Sequence, residues 1–387
     1  MPRVVVHARG VDRVRRGHPW IYRSDVADVD AEGGDVVEVC ALRGRRLGDA
    51  LYSDRSEIAL RFLTHGERAF DRTLLAERLH AALAFRDRLE IDGNSYRLVH
   101  AEGDRLPSLI VDRYADVLVV QALSQGMERL VPDVVAILGE RLSPAGVLAR
   151  HDVRARALEG LDQEVKVLRG EVPSTVVVRD RERDYEVDLR HAQKTGRFLD
   201  QRENRAAAAG YARGRLLDCF SYDGGFALEL AQRSTDVVAV EISDEAVGRI
   251  ARNAERNGFQ SIRATVANAF DFLREAERTG ERFDTIVLDP PAFARNRAAL
   301  PKALGGYKEI NLRALKVLNP GGTLVTCSCS YPVTEELLLE VVQSAAVDVH
   351  APVSLVEKRM QSRDHPVLIG IPETQYLKCL ILRKLES

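Results

Sequence analysis

Short apolar runs separated by glycine turns characterise the beginning of the chain. Up to about residue 70, β-type runs such as RVVVHA, DVVEVCAL and IALRFL alternate with turn signals at Gly10, Gly17, Gly33-Gly34 and Gly44. Runs of this length bounded by glycine are typical of strands. The pattern therefore predicts a small β-barrel or sandwich over residues 1–70 rather than a helical domain.

The middle of the chain mixes helical and strand-like periodicities. From residue 71, the stretch DRTLLAERLHAALAFRDRLE places Leu74, Leu75 and Leu79 at helical spacing, which predicts a helix. The apolar runs SYRLVHA, SLIVDRY and DVLVVQAL then predict strands, and a helical VPDVVAILGERL and further strands follow. Residues 71–185 are therefore expected to form a small α+β domain.

After His191 the chain alternates regularly between strand and helix patterns. The apolar runs RLLDCF, DVVAVEI, IRATVA, DTIVLD and GTLVTCS are separated by helical stretches such as DEAVGRIARNAERNG. Strands that alternate with helices of this length are typical of a parallel, doubly wound sheet. The sequence thus predicts an α/β protein in which residues 186–387 form a Rossmann-like domain.

Each of these five apolar runs is followed by a polar or reactive group. In an open parallel sheet, ligands bind outside the carboxyl ends of the strands, so these groups are expected to share one edge. Several have a structural interpretation by themselves, such as a turn at Asn268, or at Glu241 a helix cap for which Ser243 and Asp244 compete. Their common position favours a nucleoside-containing ligand. The groups are Asp218, Glu241, Asn268, Asp289 and Cys329.

The turn after the first run helps to identify this ligand. A dinucleotide requires closely spaced glycines around its pyrophosphate, whereas Phe220 and Tyr222 occupy those positions here. S-adenosylmethionine has no phosphate and needs an acid for its ribose hydroxyls, which Glu241 supplies. Asn268 suits the adenine edge, and Asp218 or nearby carbonyls suit the ammonium group. The predicted cofactor contacts are Asp218, Phe220, Tyr222, Gly224, Glu241, Asn268, Asp289 and Pro290.

Two further motifs indicate the chemistry. In DPPAF, Pro290 ends strand pairing, Asp289 suits a base amine or protonated ring nitrogen, and Phe293 is placed to stack on a base. A stiff surface turn is the alternative. Methylating carbon 5 of cytosine needs transient attack at carbon 6, for which a thiolate is suitable. In TCSCS, Cys329 is the predicted nucleophile, whereas Cys327 is expected to be a small buried hydrophobe.

Composition narrows the classes of protein. A net charge of −2 gives no overall basic signature, and the arginine cluster near the N-terminus is equally explained as solvated surface. Five cysteines, an odd number without CxxC spacing, argue against a disulfide framework and a zinc site, so no metal is expected. No apolar run reaches about 18 residues and no signal peptide is evident, which favours a cytoplasmic protein without membrane contact.

Several segments resemble the bacterial 23S ribosomal RNA cytosine-5 methyltransferases, which combine a PUA domain, a small β-rich middle domain and a class I methyltransferase domain. The resemblance spans nearly the whole chain, and the segments occur in the order of the family. They are GHPWIY (17–22), QKTGRFLDQRENR (193–205), DCFSYDGGF (218–226), DPPAF (289–293), GYKEIN (306–311), SCS (328–330) and DHP (364–366).

The resemblance implies roles for further residues. Residues 1–70 would form the RNA-binding PUA domain, and the QKTG segment would fold over S-adenosylmethionine, which leaves as S-adenosylhomocysteine. It also implies 23S ribosomal RNA as partner and raises homodimerisation as an expectation. The implied residues are Gln193, Lys194 and Thr195 at the cofactor, Arg15, Arg16, Trp20, Phe293 and Lys308 at the RNA, and Asp289 with Cys329 in catalysis.

Structural and functional alternatives stay open at this point. Asp200 has a competing interpretation as the N-cap of a helix with Glu203 at its third position. A ribosomal RNA guanine N-methyltransferase would use the same pocket without a covalent step, and a non-catalytic assembly factor would bind RNA alone. A nicotinamide dehydrogenase is disfavoured by Phe220 and Tyr222. The group that removes the carbon-5 proton and the target nucleotide have no assignment.

Overall fold

The chain folds into two compact units. The computed structural model describes residues 2–386. The expected division into three domains at residues 70 and 185 stays a prediction. The first unit comprises Met1–Val178, Val187–Arg197 and Arg363–Thr374, and the second comprises Arg179–Glu186, Phe198–Ser362 and Gln375–Ser387.

The N-terminal part of the first unit contains the short strands that the sequence predicts. Its six strands form one sheet in the order β2-β6-β5-β4-β1-β3, around a core that includes Val4, Ile21 and Leu60. Alternating apolar residues produce this core because successive side chains of a strand point to opposite faces. The strands are β1 (Arg3–Val6), β2 (Trp20–Tyr22), β3 (Val26–Asp30), β4 (Val36–Ala41), β5 (Arg46–Tyr52) and β6 (Ile58–Phe62).

A helix in this region differs from the all-strand expectation. Helix α1 spans Ala8–Arg15 and therefore carries part of the N-terminal arginine cluster. The sequence pattern predicts a turn at Gly10, yet this residue is buried in the helix, where a Cβ would lie 3.2 Å from the Cβ of Val6. The glycine thus serves close packing of the helix on its neighbour rather than chain reversal.

The remainder of the first unit is a five-stranded sheet in the order β11-β10-β9-β8-β7, packed against helices. The predicted helix from residue 71 is confirmed: Asp71 caps it by accepting a hydrogen bond from the amide of Leu74 at 2.8 Å. The elements are α2 (Arg72–Arg88), β7 (Ser95–His100), β8 (Leu109–Tyr114), β9 (Val117–Ala122), α3 (Gln125–Leu142), β10 (Gly146–Arg150), α4 (Arg154–Ala157) and β11 (Val165–Gly170). A separate two-stranded sheet follows, β12 (Thr175–Asp180) with β13 (Arg183–Asp188).

The second unit contains the predicted doubly wound sheet. Its seven strands have the order β16-β15-β14-β17-β18-β20-β19. The first five in this order are parallel, and the last two pair antiparallel. The strands are β14 (Arg215–Cys219), β15 (Asp236–Glu241), β16 (Ile262–Val266), β17 (Phe283–Leu288), β18 (Leu318–Ser328), β19 (Val353–Arg359) and β20 (Lys378–Lys384). The helices are α5 (Arg202–Ala209), α6 (Gly225–Leu230), α7 (Asp244–Arg256), α8 (Ala269–Thr279), α9 (Leu300–Val317) and α10 (Glu335–Asp348).

Apolar residues cover both faces of this sheet. Leu217 and Ile286 belong to one buried cluster, whereas their chain neighbours Leu216 and Val287 belong to another. Continuous apolar runs are expected in strands that helices cover on both sides. The parallel strands therefore deliver the residues that follow them to a common edge.

Two expected helix caps have different outcomes. Ser243 caps α7, since its hydroxyl accepts a hydrogen bond from the amide of Ala246 at 3.3 Å. The cap expected at Asp200 is wrong: the chain first makes a 3-10 turn at Leu199–Gln201, and α5 begins after it. One carboxylate oxygen of Asp200 instead accepts a hydrogen bond from the hydroxyl of Tyr376 at 2.7 Å.

Candidate active site

The loop after β14 turns sharply into α6. Phe220, Tyr222 and Gly224 have φ angles of 63, 53 and 81 degrees, all in the left-handed region. At position 224 a side chain would have to displace Cδ1 of Leu228, 2.4 Å from its Cβ, and also adopt this left-handed backbone, and glycine avoids both costs. The predicted glycine turn therefore restricts which residue can occupy position 224. The turn brings the backbone of the loop close to the end of β14.

Asp218 lies beneath this loop and is 1% exposed. Its Oδ2 accepts hydrogen bonds from Oγ of Ser221 at 2.6 Å and from the amide of Ala227 at 3.0 Å. Within the described residues, its buried Oδ1 has no hydrogen-bond partner. Burial raises the pKa of Asp218 to about 7, and the neighbouring carboxylates of Asp289 and Glu241 act in the same direction.

Glu241 ends β15 and holds the adjoining loops together. Its Oε2 accepts a hydrogen bond from the amide of Tyr222 at 3.0 Å. Its Oε1 accepts from the amides of Ile242 and Ser243 at 2.8 and 3.2 Å. The carboxylate therefore connects the loop after β14 to the end of β15.

Asn268 follows β16 and begins α8. Its side-chain oxygen accepts a hydrogen bond from the amide of Phe270 at 2.9 Å, so the residue is the N-cap of that helix. The side chain thus caps a helix, whereas the structural alternative from the sequence was a turn residue. The side chain is exposed, and its contact with adenine stays a prediction.

The Asp-Pro-Pro motif and the SCS motif meet at the ends of β17 and β18. The Sγ atom of Cys329 lies 4.0 Å from the carbonyl oxygen of Pro290, which is the outer limit of a thiol hydrogen bond. Asp289 accepts a hydrogen bond at Oδ1 from Nε2 of Gln201 at 2.9 Å. Cys329 is half-buried, whereas Cys327 is completely buried as expected. The two predicted catalytic groups are thus on adjacent turns.

Tyr307 fixes both serines that flank Cys329. Its hydroxyl accepts a hydrogen bond from Oγ of Ser328 at 2.9 Å and lies 3.0 Å from Oγ of Ser330. Oγ of Ser330 also accepts from the amide of Ala294 at 3.1 Å. Burial raises the pKa of Tyr307, so the hydroxyl stays neutral at pH 7. The turn that carries the thiol is therefore rigid on both sides.

Two family models match this chain. A model described as a PUA-like domain matches residues 4–65. A model described as an S-adenosylmethionine-dependent methyltransferase matches residues 97–383, which is most of the chain. The chain belongs to this methyltransferase family. The expected α/β fold with an N-terminal PUA-like domain and a Rossmann-like methyltransferase domain is thereby confirmed.

Relatives of this methyltransferase cover almost its whole length. Ribosomal RNA large subunit methyltransferase I of Aliivibrio fischeri is 40% identical over 382 residues, which are 96% of this chain and 96% of that protein. The protein of the same name from Vibrio cholerae is 39% identical over 382 residues, again 96% of each chain. The chain and these proteins therefore belong to one family.

Solved structures show the same fold at low sequence identity. A proposed S-adenosylmethionine-dependent methyltransferase from Streptococcus mutans has a TM-score of 0.83 at 18% identity, covering 99% of this chain and 100% of that one. A proposed methyltransferase complexed with S-adenosylhomocysteine has a TM-score of 0.86 at 19% identity, with the same coverage. Identity this low supports the fold alone.

The residues at the sheet edge fit the cofactor of the methyltransferase family, S-adenosylmethionine. The cofactor carries a positive sulfonium and an ammonium group. Asp218 has a buried carboxylate oxygen without a partner in the described part of the chain, and Asp289 and Glu241 lie near enough to raise its pKa. Three neighbouring carboxylates favour a cation. Among residues 2–386, no group of three or more potential ligands is arranged to hold a metal ion.

The predicted QKTG contacts lie in the first unit of the methyltransferase. Thr195 is buried, and its hydroxyl donates a hydrogen bond to Oδ2 of Asp112 at 2.6 Å and lies 3.0 Å from the hydroxyl of Tyr114. Lys194 has a positive φ of 53 degrees. The approach of Gln193, Lys194 and Thr195 to the cofactor stays a prediction.

The predicted RNA contacts occupy varied environments. Arg15 and Arg16 are exposed, at the end of α1 and just after it. Trp20 is half-buried, and its Nε1 donates a hydrogen bond to Oε1 of Glu102 at 3.0 Å.

The two predicted RNA contacts of the second unit have partners within the chain. Phe293 packs against the ring of Tyr307, with centroids 4.6 Å apart. Lys308 forms an ion pair with Asp348 at 2.7 Å. The RNA-binding role of Phe293 and Lys308, like that of Arg15, Arg16 and Trp20, stays a prediction.

Sequence reasoning missed three residues of the site. Gln201 lies in the QKTGRFLDQRENR segment, and Tyr307 lies in GYKEIN, but neither segment showed which side chain matters. Lys378 interrupts the apolar run YLKCLIL at the first residue of β20, and a lysine in a buried strand is a signal that a polar partner must be present. Among residues 2–386, no helix combines the length and the apolarity that a membrane crossing requires.

Proposed function

We propose that this methyltransferase acts on ribosomal RNA of the large subunit and forms 5-methylcytosine in 23S RNA through a covalent Cys329 intermediate. The name shared by its relatives, ribosomal RNA large subunit methyltransferase I, supports the substrate class. The match to a PUA-like domain supports RNA binding. The observation that carries the cytosine assignment is the half-buried thiol of Cys329 beside the Asp-Pro-Pro turn.

The first chemical step is proposed to be attack of the Cys329 thiolate on carbon 6 of cytosine. A bond forms between Sγ and carbon 6, and the electron pair of the ring double bond moves toward carbon 5 and the ring nitrogen. Asp289, positioned by Gln201, accepts a hydrogen bond from the protonated ring nitrogen, so the arriving electron pair neutralises a positive charge there instead of creating a negative one. Cytosine becomes nucleophilic at carbon 5 only through this addition.

S-adenosylmethionine, when bound, supplies the methyl group from its sulfonium. Carbon 5 of the ring takes that group and S-adenosylhomocysteine is left. A base for which no residue is assigned then removes the carbon-5 proton, and the bond between carbon 6 and Sγ breaks with its electron pair returning to Sγ. Cys329 returns to its thiolate form, so it is regenerated in every turnover. The cytosine must be unpaired or flipped out, because the reacting face is covered in a stacked helix.

Alternative functions make different demands on the same site. Guanine N-methylation would use the Asp-Pro-Pro turn without needing a thiol beside it. The position of Cys329, held between two serines bonded to Tyr307, favours the covalent route. Action on ribosomal RNA would place the protein in the cytoplasm, and homodimerisation stays a prediction.

The proposed function is tested by nucleoside mass spectrometry of 23S RNA from a strain that lacks this protein. We expect one 5-methylcytidine to disappear and to return with the wild-type protein. Cys329→Ala should fail to restore it, whereas Cys40→Ala, which removes a buried thiol of the first unit, should restore it. Restoration by Cys329→Ala, or loss of a methylguanosine instead, would overturn the proposal.

A further inference from the structure

Lys378 is a buried lysine whose hydrogen bonds go to carbonyl groups. It is 4% exposed and begins β20, where its backbone is the register partner of Ser328. Its Nζ donates to the carbonyl oxygens of Ser330 and Tyr376, each at 2.9 Å. In the part of the chain that the structure describes, no carboxylate forms an ion pair with it. A buried ammonium without a counter-charge is unfavourable, so its retention needs a reason.

The nearby ionisable group that favours the charged form of Lys378 is Cys329. Burial lowers the pKa of Lys378 to about 8, and the charge of the Cys329 thiolate opposes that decrease. Such an interaction is reciprocal: an ammonium that a thiolate stabilises also stabilises the thiolate. A positive group beside a cysteine is a common way to generate the reactive form.

Two other groups beside Cys329 do not supply a positive charge. Tyr307 of α9 is neutral at pH 7 because burial raises its pKa. Asp289, after β17, is acidic, and its successor Pro290 contacts Sγ through a carbonyl oxygen. Neither Tyr307 nor Asp289 therefore favours the negative charge of a Cys329 thiolate. Lys378 of β20 supplies the opposite sign.

We propose that Lys378 is a positioning residue for Cys329: it anchors the carbonyl of Ser330 and provides the positive charge that stabilises the thiolate. The inference rests on the proposed covalent role of Cys329. It gives the buried lysine a function that anchoring two carbonyl groups would not require, since a neutral donor could do that.

Lys384, on the same strand, is a matched control. Its Nζ also donates to two carbonyl oxygens, those of Leu315 and Leu318, each at 2.7 Å. Burial lowers the pKa of Lys384 as well, but the other influence on it is Arg282 rather than a thiol. Removing this ammonium disturbs a similar set of hydrogen bonds without changing the charge near Cys329.

The experiment measures alkylation of Cys329 by iodoacetamide between pH 6 and pH 10, with the modified peptide quantified by mass spectrometry. In Lys378→Met, we expect the midpoint of the profile to move to higher pH by about one unit, with roughly tenfold slower alkylation at pH 7. Lys378→Arg should keep a profile close to that of the wild type. Lys384→Met should leave the profile unchanged.

Methyl transfer provides a second readout. Lys378→Met should lose activity at pH 7 and regain much of it at pH 9, where the thiolate forms without help. S-adenosylhomocysteine binding, measured by calorimetry, verifies that the variant is folded. Superimposable alkylation profiles of the wild type and folded Lys378→Met would overturn the proposal, as would an equal shift in Lys384→Met.

If Lys378→Met does not fold, the alkylation profile of the wild type tests the proposal by itself. A midpoint at or above the value of about 8.5 for an ordinary cysteine would contradict a stabilised thiolate. The alkylation assay contains neither RNA nor cofactor, so its outcome does not depend on which base is methylated. Failure of the proposed function appears separately, as full methyl transfer by Cys329→Ala.

Discussion

The side-chain nitrogen Nε2 of Gln201 donates a hydrogen bond to Oδ1 of Asp289 at 2.9 Å. Gln201 is itself fixed, because its Oε1 accepts a hydrogen bond from Nδ2 of Asn204 at 2.7 Å. Both bonds lie in the second unit: the first connects the residue before α5 to the Asp-Pro-Pro turn, and the second lies within the start of α5. The carboxylate proposed to hold the target base is therefore oriented before substrate binds.

Gln201→Leu keeps the size of the side chain and removes this bond. A hydrogen bond to a charged group contributes about 1.5 to 3 kcal/mol, so we expect turnover to fall roughly 10- to 100-fold. The assay is transfer of labelled methyl groups to ribosomal RNA. Gln232→Leu is the control, because Gln232 is exposed and donates to the carboxylate of Glu182 at 3.2 Å. A decrease of less than twofold in Gln201→Leu would show that this orientation is unimportant.

The raised pKa of Asp218 predicts that cofactor binding depends on pH. With a pKa of about 7, the carboxyl is mostly neutral at pH 6 and mostly ionised at pH 8. The ionised form attracts the ammonium group of S-adenosylhomocysteine, so affinity should rise with pH by about tenfold across this window. Calorimetric titration at pH 6 and pH 8 measures the change.

Asp218→Asn separates this effect from other titrations. The amide has no charge to gain, so the variant should bind weakly and with the same affinity at both pH values. Equal affinity of the wild type at pH 6 and pH 8 would mean that the ammonium group is not held by Asp218.

Tyr307→Phe removes the hydroxyl that forms hydrogen bonds with Ser328 and Ser330, the two serines beside Cys329. Leaving these buried hydroxyls without a partner should decrease the free energy of unfolding by about 1 to 3 kcal/mol. Denaturant unfolding measures this change, and methyl transfer should decline with it because the turn loses its support. Tyr96→Phe is the control, since no hydrogen bond of the Tyr96 hydroxyl occurs within residues 2–386. Equal effects of the two substitutions would argue against the role of Tyr307.

The sequence predicted the edge of the sheet better than the contacts across it. Glu241 and Cys329 follow apolar runs, and parallel topology alone brings such strand ends together. The partners Gln201 and Lys378 depend on a 3-10 turn before α5 and on the antiparallel register of β20 with β18. No local pattern specifies either feature, because both are determined by packing of distant segments.

Local patterns misled where packing overrode them. The sequence around Asp200 fits a capping box, yet the hydroxyl of Tyr376, far away in the chain, binds its carboxylate. Gly10 fits a turn, yet it lies in α1, where it packs closely on Val6 and Asp25. In both cases a contact between segments outweighed a preference of a few residues.

The most direct test of the covalent mechanism is to trap the bond between RNA and Cys329. Ribosomal RNA that contains 5-fluorocytosine should stop the reaction after methyl transfer, because fluorine cannot leave carbon 5 as a proton does. The wild type with S-adenosylmethionine should then form a denaturation-resistant complex with RNA, whose cross-linked peptide contains Cys329. Absence of the complex, its mapping to another residue, or its formation by Cys329→Ala would contradict the mechanism.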